Sequence, residues 1–436
     1  MICGIQGLFK GIVDGIAEGI KEQIGKSSFP VTQILHERND TMNLQQLTHT
    51  FNSIFPVDGH GDVRIFFSPG RINLIGEHTD YNGGHVFPSA ITYGTYGVAR
   101  RRDDGLVKLY SMNFPEAGVI EFSLNELDYR KEHGWANYAK GMIRYLSENY
   151  GSLPSGLNIV INGNIPNGAG LSSSASLEML IGVMISEIYN LHIDRLELIK
   201  LGKKVENEFI GVNSGIMDQF AVGMGKADYG ILLDCNTLNY EYAPLPLNGY
   251  RIVIMNTNKR RELADSKYNE RRSECETALS RLQAIVDIQE LGDLSEEEFE
   301  ANKQIIRDER LIKRAKHAVY ENQRTLKALK ALRSGELKVF GELMNDSHHS
   351  LRDDYEVTGK ELDTLVEAAW KREGVLGARM TGAGFGGCAI AIIECDRVDE
   401  FVARVGQEYQ EKIGYDADFY VASIGDGAKE ITREVV

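Results

Sequence analysis

The sequence predicts an α+β fold built from two domains. Segments typical of strands and of helices are mixed without a regular strand–helix–strand alternation, which favours α+β over a parallel α/β sheet. The segment 262–344 is strongly charged and helical in pattern, whereas the preceding half is richer in strand patterns. A chain of 436 residues is long enough for two or three compact domains. We expect an N-terminal α+β domain at 42–225 and a C-terminal, helix-rich α+β domain at 226–436.

The net charge and the cysteines limit the classes of partner. A formal net charge of −15 argues against a surface for nucleic acid or for an acidic membrane. No apolar run reaches the length of a transmembrane helix, so we expect no membrane association. The five cysteines are scattered and none forms a C-x-x-C pair, which is typical of free thiols in a reducing compartment. We expect a cytoplasmic protein, and a monomer.

Residues 1–41 differ from the rest of the chain. Their apolar residues have helical spacing, but Gly7, Gly11 and Gly15 lie among them, and each interior glycine costs a helix roughly 0.5–1 kcal/mol relative to alanine. A weak amphipathic helix for a membrane or a partner is one interpretation. We favour a dispensable extension, whose deletion should leave activity and melting temperature nearly unchanged.

The N-terminal elements follow from local patterns. A short amphipathic helix is expected from Leu44, and a strand at 63–67 should end at Ser68-Pro69-Gly70 because proline and glycine interrupt strands. Alternating or β-branched runs predict strands at 93–98, 107–110 and 157–162. Helical periodicity predicts a helix at 135–150, closed by Gly151. The segment 177–191 is apolar on nearly every side, as in a buried helix, and further helices are expected at 196–210 and 214–224.

The C-terminal elements are predicted in the same way. Apolar runs indicate strands at 230–235 and 250–256. Leu326, Leu329 and Leu332 mark one buried stripe among charged residues in the helical segment 262–344. The chain should end with a helix at 362–372, a glycine-rich loop, a strand at 388–394, another helix and a strand at 418–423.

Residues 166–176 have the pattern of a phosphate-binding loop, and we call this segment the phosphate cradle. It reads Pro-Asn-Gly-Ala-Gly-Leu-Ser-Ser-Ser-Ala-Ser and joins a predicted strand to a helix N-terminus. Its glycines let the backbone approach a bulky ligand, and the first N–H groups of the helix are free to bind an anion. No lysine follows the glycines, so this is not a P-loop. An ordinary serine-capped helix explains the spacing of the cradle equally well.

A second stretch, residues 70–84, crowds polar side chains beside apolar ones. Arg71, Glu77, His78 and Asp80 lie close to Ile72, Leu74 and Ile75, which suits a polar ligand pocket better than a solvated loop. Carboxylates there can accept hydrogen bonds from the hydroxyls of a sugar, and Arg71 can offer a fixed charge to a phosphoryl group.

A third stretch, residues 379–387, carries four glycines. It superficially matches a dinucleotide fingerprint, but that motif needs a strand before it and a helix after it. Here we expect a helix before and a strand after, so we interpret the loop as one that brings backbone close to the nucleotide. A tight helix–strand connection is the alternative, and on this stretch alone it would be preferred.

Taken together, the three stretches resemble the GHMP kinases. The cradle resembles the second motif of that family, and Thr381 to Gly387 resembles the third. The run Arg-Ile-Asn-Leu-Ile-Gly-Glu-His-Thr-Asp-Tyr from Arg71 is similar to the galactokinase signature nearly word for word. Segments around Tyr268 and at 350–357 also resemble galactokinases. The resemblance covers the chain from about Met42 onward.

The resemblance implies an activity, ligands and site residues. It implies an active site in a cleft between two α+β domains, ATP and Mg²⁺ as cofactors, and galactose as the substrate phosphorylated at its anomeric hydroxyl. It makes Asp218 the catalytic base and Arg71 the stabiliser of the transition state. The implied sugar-binding residues are Glu77, His78, Thr79, Asp80 and Tyr268. The implied ATP contacts are Ser111, Gly168, Ala169, Gly170, Leu171, Ser172, Ser173 and Ser174, and the implied Mg²⁺ ligands are Ser174 and Glu206.

Two alternatives stay open at this point. A sister kinase acting on N-acetylgalactosamine or another sugar would carry the same motifs, because the sequence does not define the room around the sugar's C2 substituent. A regulator that binds sugar and ATP without turnover is the second alternative. The intact serine run 172–176 and Asp218 argue against lost catalysis.

Overall fold

A computed structural model describes residues 43–56, 61–166, 169–259 and 264–435. The expectation for residues 1–41 therefore lies outside the described residues. Helices and strands are mixed in the described chain without strict alternation, which confirms the α+β prediction. Residues 42–436 form one compact unit, and the boundary expected at residue 225 stays a prediction.

The strands are numbered in chain order. They are β1 Arg64–Asn73, β2 His85–Val86, β3 Pro88–Arg101, β4 Leu106–Ser111, β5 Ile120–Ser123, β6 Leu157–Gly163, β7 Tyr229–Asp234, β8 Tyr240–Pro244, β9 Tyr250–Asn256, β10 Val375–Thr381, β11 Cys388–Glu394, β12 Asp418–Ala422 and β13 Lys429–Glu430.

The α-helices are numbered likewise. They are α1 Leu44–Ile54, α2 Ala136–Tyr150, α3 Ser173–Ile188, α4 Arg195–Lys204, α5 Met217–Met224, α6 Ala264–Leu282, α7 Glu296–Asn302, α8 Glu309–Arg333, α9 Leu337–Ser350, α10 Gly359–Trp370, α11 Val398–Ile413 and α12 Thr432–Val435. Single π-helical turns follow α4 at Val205–Ile210 and α9 at Leu351–Tyr355. Among the described residues, no helix combines the length and apolarity that crossing a membrane requires.

Three sheets organise the described strands. The first has the order β13-β1-β3-β6-β4-β5, in which only β4 and β6 run parallel. The second has the order β10-β11-β9-β12 and is antiparallel throughout. The third joins β2, β7 and β8. The buried helix α3 lies over the first sheet, where Met184 and Leu180 pack against Gly97 of β3.

Two expectations about strands were wrong, and both corrections bear on the site. The first strand does not end at Ser68-Pro69-Gly70 but continues to Asn73, because a register shift between Pro69 and Arg71 absorbs the proline without ending the pairing with β3. The third glycine stretch is preceded by a strand rather than a helix. It forms the turn of the β10–β11 hairpin, in which Thr381 pairs with Cys388.

The helix after the phosphate cradle also begins earlier than expected, at Ser173 instead of residue 177. Ser172 precedes it with a left-handed backbone (φ 64°, ψ 48°), so the turn into the helix is completed within the serine run. The hydroxyls of Ser173 and Ser174 consequently belong to the first helical turn.

Candidate active site

Arg71 lies on the part of β1 that continues beyond Gly70, and it is almost fully buried, with 4% of its surface exposed. Its backbone N–H donates to the carbonyl of Leu171 at 3.1 Å, which attaches β1 directly to the phosphate cradle. Its side-chain Nη1 donates to the carbonyl of Gly170 at 2.7 Å. The continuation of β1 past the bulge therefore aims the guanidinium along the cradle.

Asp218 lies in the first turn of α5 and receives Arg71 in a two-pronged ion pair. Arg71 Nε donates to Asp218 Oδ1 at 2.9 Å and Nη2 donates to Oδ2 at 3.1 Å. The Ser172 hydroxyl donates to Oδ2 at 2.6 Å. The side chain of Asp218 is 27% exposed whereas that of Arg71 is 5% exposed, so the carboxylate remains partly accessible to a ligand.

The phosphate cradle bonds both members of this ion pair, Arg71 through Gly170 and Asp218 through Ser172. Gly170 has a left-handed backbone, with φ 74°, and its carbonyl is the one that Arg71 binds. Ala169 and Leu171 are buried, whereas Ser173 is exposed at the N-terminus of α3. Gly168, a predicted ATP contact, lies outside the described residues.

Glu206 forms a cluster of oxygen atoms beside the cradle. It lies on the π-helical turn after α4, where one of its oxygens accepts from the Ser174 hydroxyl at 2.7 Å and the other accepts a short bond from Ser214. Burial, together with the negative charge of Asp218, raises the pKa of Glu206.

These residues fit Mg²⁺ in their chemistry, because carboxylate and hydroxyl oxygens are the ligands that it prefers. No group of three or more His, Cys, Asp and Glu side chains in the described chain could hold a metal by itself. A Mg²⁺ held by one carboxylate, one hydroxyl and nucleotide phosphates needs no such group.

Of the two carboxylates of the signature, Glu77 is bound by protein donors. Asn73 Nδ2 donates to it at 2.9 Å and the backbone N–H of Gly382 donates at 2.7 Å, while Arg379 Nη1 lies 3.4 Å from Oε1. Burial raises the pKa of Glu77, and the charge of Arg379 opposes that rise. Glu77 thus connects the signature loop to the third glycine stretch.

Asp80 is partly buried and begins a short 3-10 helix, Asp80–Asn82. Burial, followed by the charges of Asp218 and Glu77, raises its pKa to about 6. It packs so closely on Gly215 that a Cβ there would overlap its carboxylate. Asp80 therefore lies on the same side of the site as the α5 N-terminus.

The remaining predicted sugar residues differ in what they can offer a ligand. Both ring nitrogens of His78 have protein partners, Tyr81 OH at 2.7 Å and the Ala383 carbonyl at 3.2 Å. The Thr79 hydroxyl donates within its own loop, to the carbonyls of Gly76 and His85. Tyr268 of α6 has a phenol pKa raised well above its usual value, first by burial and then by Asp80, Tyr81 and Asp218. Tyr268 therefore lies within electrostatic range of both Asp80 and Asp218.

Ser111 ends β4 and is buried, with 2% of its surface exposed. It pairs with Ile161 of β6, the strand that leads into the cradle. Its hydroxyl accepts from the backbone N–H of Asn113 at 3.2 Å, which leaves the hydroxyl proton available to another acceptor.

Two residues of the third glycine stretch, Arg379 and Thr381, support the site through contacts that were not predicted from the sequence. Arg379 is fully buried and also donates to the Asn73 carbonyl at 2.9 Å. The Thr381 hydroxyl bonds both the N–H and the carbonyl of Asn73. The sequence carried one signal for them, the carboxylate of Glu77, because a buried carboxylate requires a nearby cation and hydrogen-bond donors.

The arrangement is suited to phosphoryl transfer onto a hydroxyl. It combines a carboxylate that can accept a proton, a guanidinium beside it, the free N–H groups of a helix N-terminus and a set of oxygen ligands for a hard cation. The signature run that begins at Arg71 adds further polar groups, among them Asp80, which packs against Gly215 next to α5.

Family models match three parts of the chain. The GHMP kinases N terminal domain matches residues 137–226, the galactokinase galactose-binding signature matches 49–101, and the GHMP kinases C terminal model matches 328–411.

Curated relatives and solved structures agree with these models. The chain is 62% identical over 395 residues to a galactokinase of Exiguobacterium sibiricum, which covers 91% of this chain and all of the relative. It is 61% identical to a galactokinase of Ligilactobacillus salivarius, over 89% of this chain and all of the relative. The crystal structure of Lactococcus lactis galactokinase complexed with galactose superposes with a TM-score of 0.86 at 59% identity, covering 88% of this chain and 99% of that one. A mevalonate kinase structure, at 19% identity and a TM-score of 0.62, shares the fold.

Proposed function

Because the chain belongs to the galactokinases among the GHMP kinases, we propose that it transfers the γ-phosphoryl group of ATP to the anomeric hydroxyl of α-D-galactose. The products are α-D-galactose 1-phosphate and ADP, which is the first kinase step of galactose catabolism. The enzyme is a phosphotransferase with an alcohol group as acceptor. The observation that carries the proposal is the Arg71–Asp218 ion pair at the mouth of the phosphate cradle.

Asp218 serves as the proton acceptor in this proposal. The oxygen of the anomeric hydroxyl forms a bond to the γ-phosphorus, the bond from that phosphorus to the bridging oxygen of ADP breaks, and the hydroxyl proton passes to Asp218. Arg71 and Ser172 hold the carboxylate in one orientation, with its open side available to the sugar. Positioning of this kind supplies much of the catalysis of phosphoryl transfer.

Arg71 stabilises the charge that spreads over the transferring group. Three of its five N–H donors are used by Asp218 and Gly170. The two that remain can face the equatorial oxygens of the phosphoryl group. Because the side chain is held by three bonds, little of its freedom is lost when the nucleotide arrives.

The cradle and the oxygen cluster bind the nucleotide. The N-terminal N–H groups of α3 and the hydroxyls of Ser173 and Ser174 face the phosphates. Ser174 and Glu206 would hold Mg²⁺, which when bound neutralises charge on the β- and γ-phosphates. The raised pKa of Glu206 reflects a buried carboxylate that gains from a cation beside it.

The sugar side is formed by Asp80 and Tyr268, with Glu77 and His78 behind them. Galactose is favoured as the substrate because the Lactococcus lactis relative, 59% identical, was crystallised with galactose. A pocket built to bond a hydroxyl rejects an analogue that lacks it by roughly 10⁴–10⁵ in kcat/KM. Glucose and 4-deoxygalactose, both without the axial 4-hydroxyl, should therefore be very poor substrates.

An ADP-release assay with Mg-ATP and a panel of sugars tests this proposal. We expect galactose to give the highest kcat/KM, with N-acetylgalactosamine, glucose and 4-deoxygalactose far below it. Turnover of N-acetylgalactosamine above that of galactose would make the chain a sister kinase. Binding of both ligands without ADP release would indicate a regulator and would overturn the proposal.

A further inference from the structure

A continuous series of hydrogen bonds runs behind the sugar side of the site. Cys275 Sγ lies 3.2 Å from Tyr355 OH, which lies 2.8 Å from Tyr81 OH. Tyr81 OH lies 2.7 Å from His78 Nδ1, and His78 Nε2 lies 3.2 Å from the Ala383 carbonyl oxygen. We call these five residues the hydroxyl relay.

The chemistry of its two ends gives the hydroxyl relay a single direction. The Ala383 carbonyl can only accept, so His78 Nε2 carries a proton and donates to it. Burial, and then the neighbouring His317, lowers the pKa of His78 to about 3, so the ring is neutral and Nδ1 accepts. Tyr81 must then donate to Nδ1 and accept from Tyr355. The Tyr355 oxygen is left to accept from the Cys275 thiol.

Both tyrosines keep their protons over the whole working range of pH. Burial raises the pKa of Tyr81 and of Tyr355 well above the usual value of a phenol. Tyr355 is fully buried, and its ring packs between the rings of His78 at 4.8 Å and His317 at 4.4 Å. The Tyr355 hydroxyl is therefore shielded from solvent.

The hydroxyl relay connects the segments that form the sugar side. Cys275 belongs to α6, the helix that carries Tyr268 two turns earlier, and Tyr355 ends the π-helical turn after α9. Tyr81 directly follows Asp80, and Ala383 lies in the glycine loop between β10 and β11. The Tyr268 ring itself contacts the rings of Tyr81 at 5.3 Å and His78 at 5.6 Å.

The backbone of His78 is strained, so its conformation has to be stabilised by bonds to other residues of the chain. Its φ of 60° is a left-handed conformation that residues with side chains adopt at a cost. The hydrogen bonds between the imidazole and Tyr81 and Ala383 offset this cost. Asn82 adds a third constraint, by donating to the His78 carbonyl at 2.7 Å.

We propose that Tyr81 and Tyr355 are positioning residues for sugar recognition, whose hydroxyls fix His78 and thereby the places of Asp80 and Tyr268 without touching the sugar. This inference rests on the proposed function, since it assumes that Asp80 and Tyr268 face the galactose. It gives a role in that function to two residues that are not among the predicted sugar-binding residues.

Steady-state kinetics of Tyr81→Phe and Tyr355→Phe test the proposal, because each change keeps the ring and removes one hydroxyl. An unpaired buried group weakens the sugar side, so we expect KM for galactose to rise about 5- to 100-fold in each variant. KM for ATP should stay within about twofold. The matched control is Tyr189→Phe, whose hydroxyl donates to the Ser155 carbonyl at 2.6 Å, and it should leave both KM values unchanged.

The double variant Tyr81→Phe/Tyr355→Phe sharpens this test. Because both hydroxyls belong to one series, the double variant should raise the galactose KM by little more than the larger single change. Equal changes in the two KM values, or an unchanged galactose KM in either single variant, would overturn the positioning role.

A spectroscopic measurement tests the hydroxyl relay without using activity. In protein labelled with ¹⁵N-histidine, His78 should be the neutral tautomer protonated at Nε2, identified by the loss of its signal in His78→Gln. In Tyr81→Phe the Nδ1 resonance of His78 should shift, because its donor is gone, and in Tyr189→Phe it should not. A His78 protonated at Nδ1 in the wild type would overturn the direction of the relay and with it the proposal.

The two measurements separate this inference from the proposed function. If the wild type turns over no galactose while the His78 signals behave as described, the proposed function fails and the relay remains. If galactose is turned over but the His78 signals do not respond to Tyr81→Phe, the relay fails and the proposed function remains.

Discussion

The oxygens of Asp218 are bonded by Arg71 and Ser172, and this environment determines what a substitution there will do. These bonds fix the carboxylate in one orientation. Its proposed function is then to accept the proton of the sugar hydroxyl. An uncharged side chain of the same shape should therefore separate catalysis from binding.

Asp218→Asn should lower kcat by roughly 10²–10⁴ while galactose still binds, because an amide cannot accept the hydroxyl proton. Turnover is measured by ADP release and galactose binding by calorimetry. Asp228→Asn is the control, because Asp228 is exposed in a turn with φ 66°, a conformation that asparagine tolerates. Near-normal turnover by Asp218→Asn would remove it from the role of base.

Asp80 gives a prediction about stability and pH. Its pKa is raised to about 6, so the folded protein holds this proton more tightly than the unfolded chain does. Its contribution to stability is present below a pH of about 4 and is lost as the pH rises through about 6. Asp80→Asn, which cannot ionise, should therefore raise the melting temperature of the ligand-free enzyme at about pH 8 and change it less at about pH 4.5.

At about pH 8, we expect Asp80→Asn to raise the free energy of unfolding by on the order of 1–3 kcal/mol. Thermal melts of both proteins at both pH values check the prediction. A variant destabilised to the same extent at both pH values would show that the packing of Asp80 outweighs the cost of its charge. The expected gain in stability should come with a loss of galactose turnover, a trade common at binding sites.

At the scale of single elements, the phosphate cradle depends on one backbone conformation. Gly170 has φ 74°, and its carbonyl accepts from Arg71. Gly170→Val should therefore weaken ATP binding, because a branched side chain both disfavours this φ and occupies the space where phosphate would lie.

The matched control is Gly151→Val, since Gly151 has a similarly positive φ of 91° and nothing within 4 Å of an added Cβ. The two variants should lose comparable stability, but only Gly170→Val should lose nucleotide affinity by more than about tenfold. ATP affinity measured by calorimetry distinguishes them. Unchanged affinity in a folded Gly170→Val protein would argue against the cradle as the phosphate site.

The elements also show how far sequence patterns could lead. Helix α2 was predictable because its apolar periodicity and its closing Gly151 are local, and α3 because its apolar run is local. The continuation of β1 to Asn73 was not, because proline and glycine normally end strands and the pairing that overrides them comes from β3. Strand β10 was missed for the same reason, since its partner β11 lies beyond the glycine loop.

The residues of the candidate site also differ in whether they could be predicted from the sequence. Arg71, Asp218 and Ser174 lie within motifs, so the resemblance to the galactokinases was enough to select them as candidates. The contacts of Arg379 with Glu77 and of Tyr355 with Tyr81 could not be predicted, because the partners lie about 300 residues apart along the chain. Only the fold brings such residues together.

At the scale of the whole molecule, Glu77 joins the first and last thirds of the chain. Glu77→Ala should lower the free energy of unfolding by about 3–5 kcal/mol, because it leaves the fully buried Arg379 without its carboxylate. Glu361→Ala, which breaks a partly exposed pair with Lys259, should cost only about 0–1 kcal/mol. Urea denaturation of both variants measures the difference. Equal effects would mean that Glu77 contributes no more than a surface ion pair.

The pairing of β13 with β1 has a consequence for the synthesis of the protein. Arg64 and Glu430 bond each other although they are 366 residues apart along the chain, and Ile431 N–H donates to the Ile65 carbonyl at 2.8 Å. At ribosomal rates of about 5–20 residues per second, β1 waits about 20–70 s for the strand that completes its outer edge. During that time the nascent chain presents an open edge, the feature by which sheets aggregate. A chain that ends before Lys429 would leave that edge open permanently.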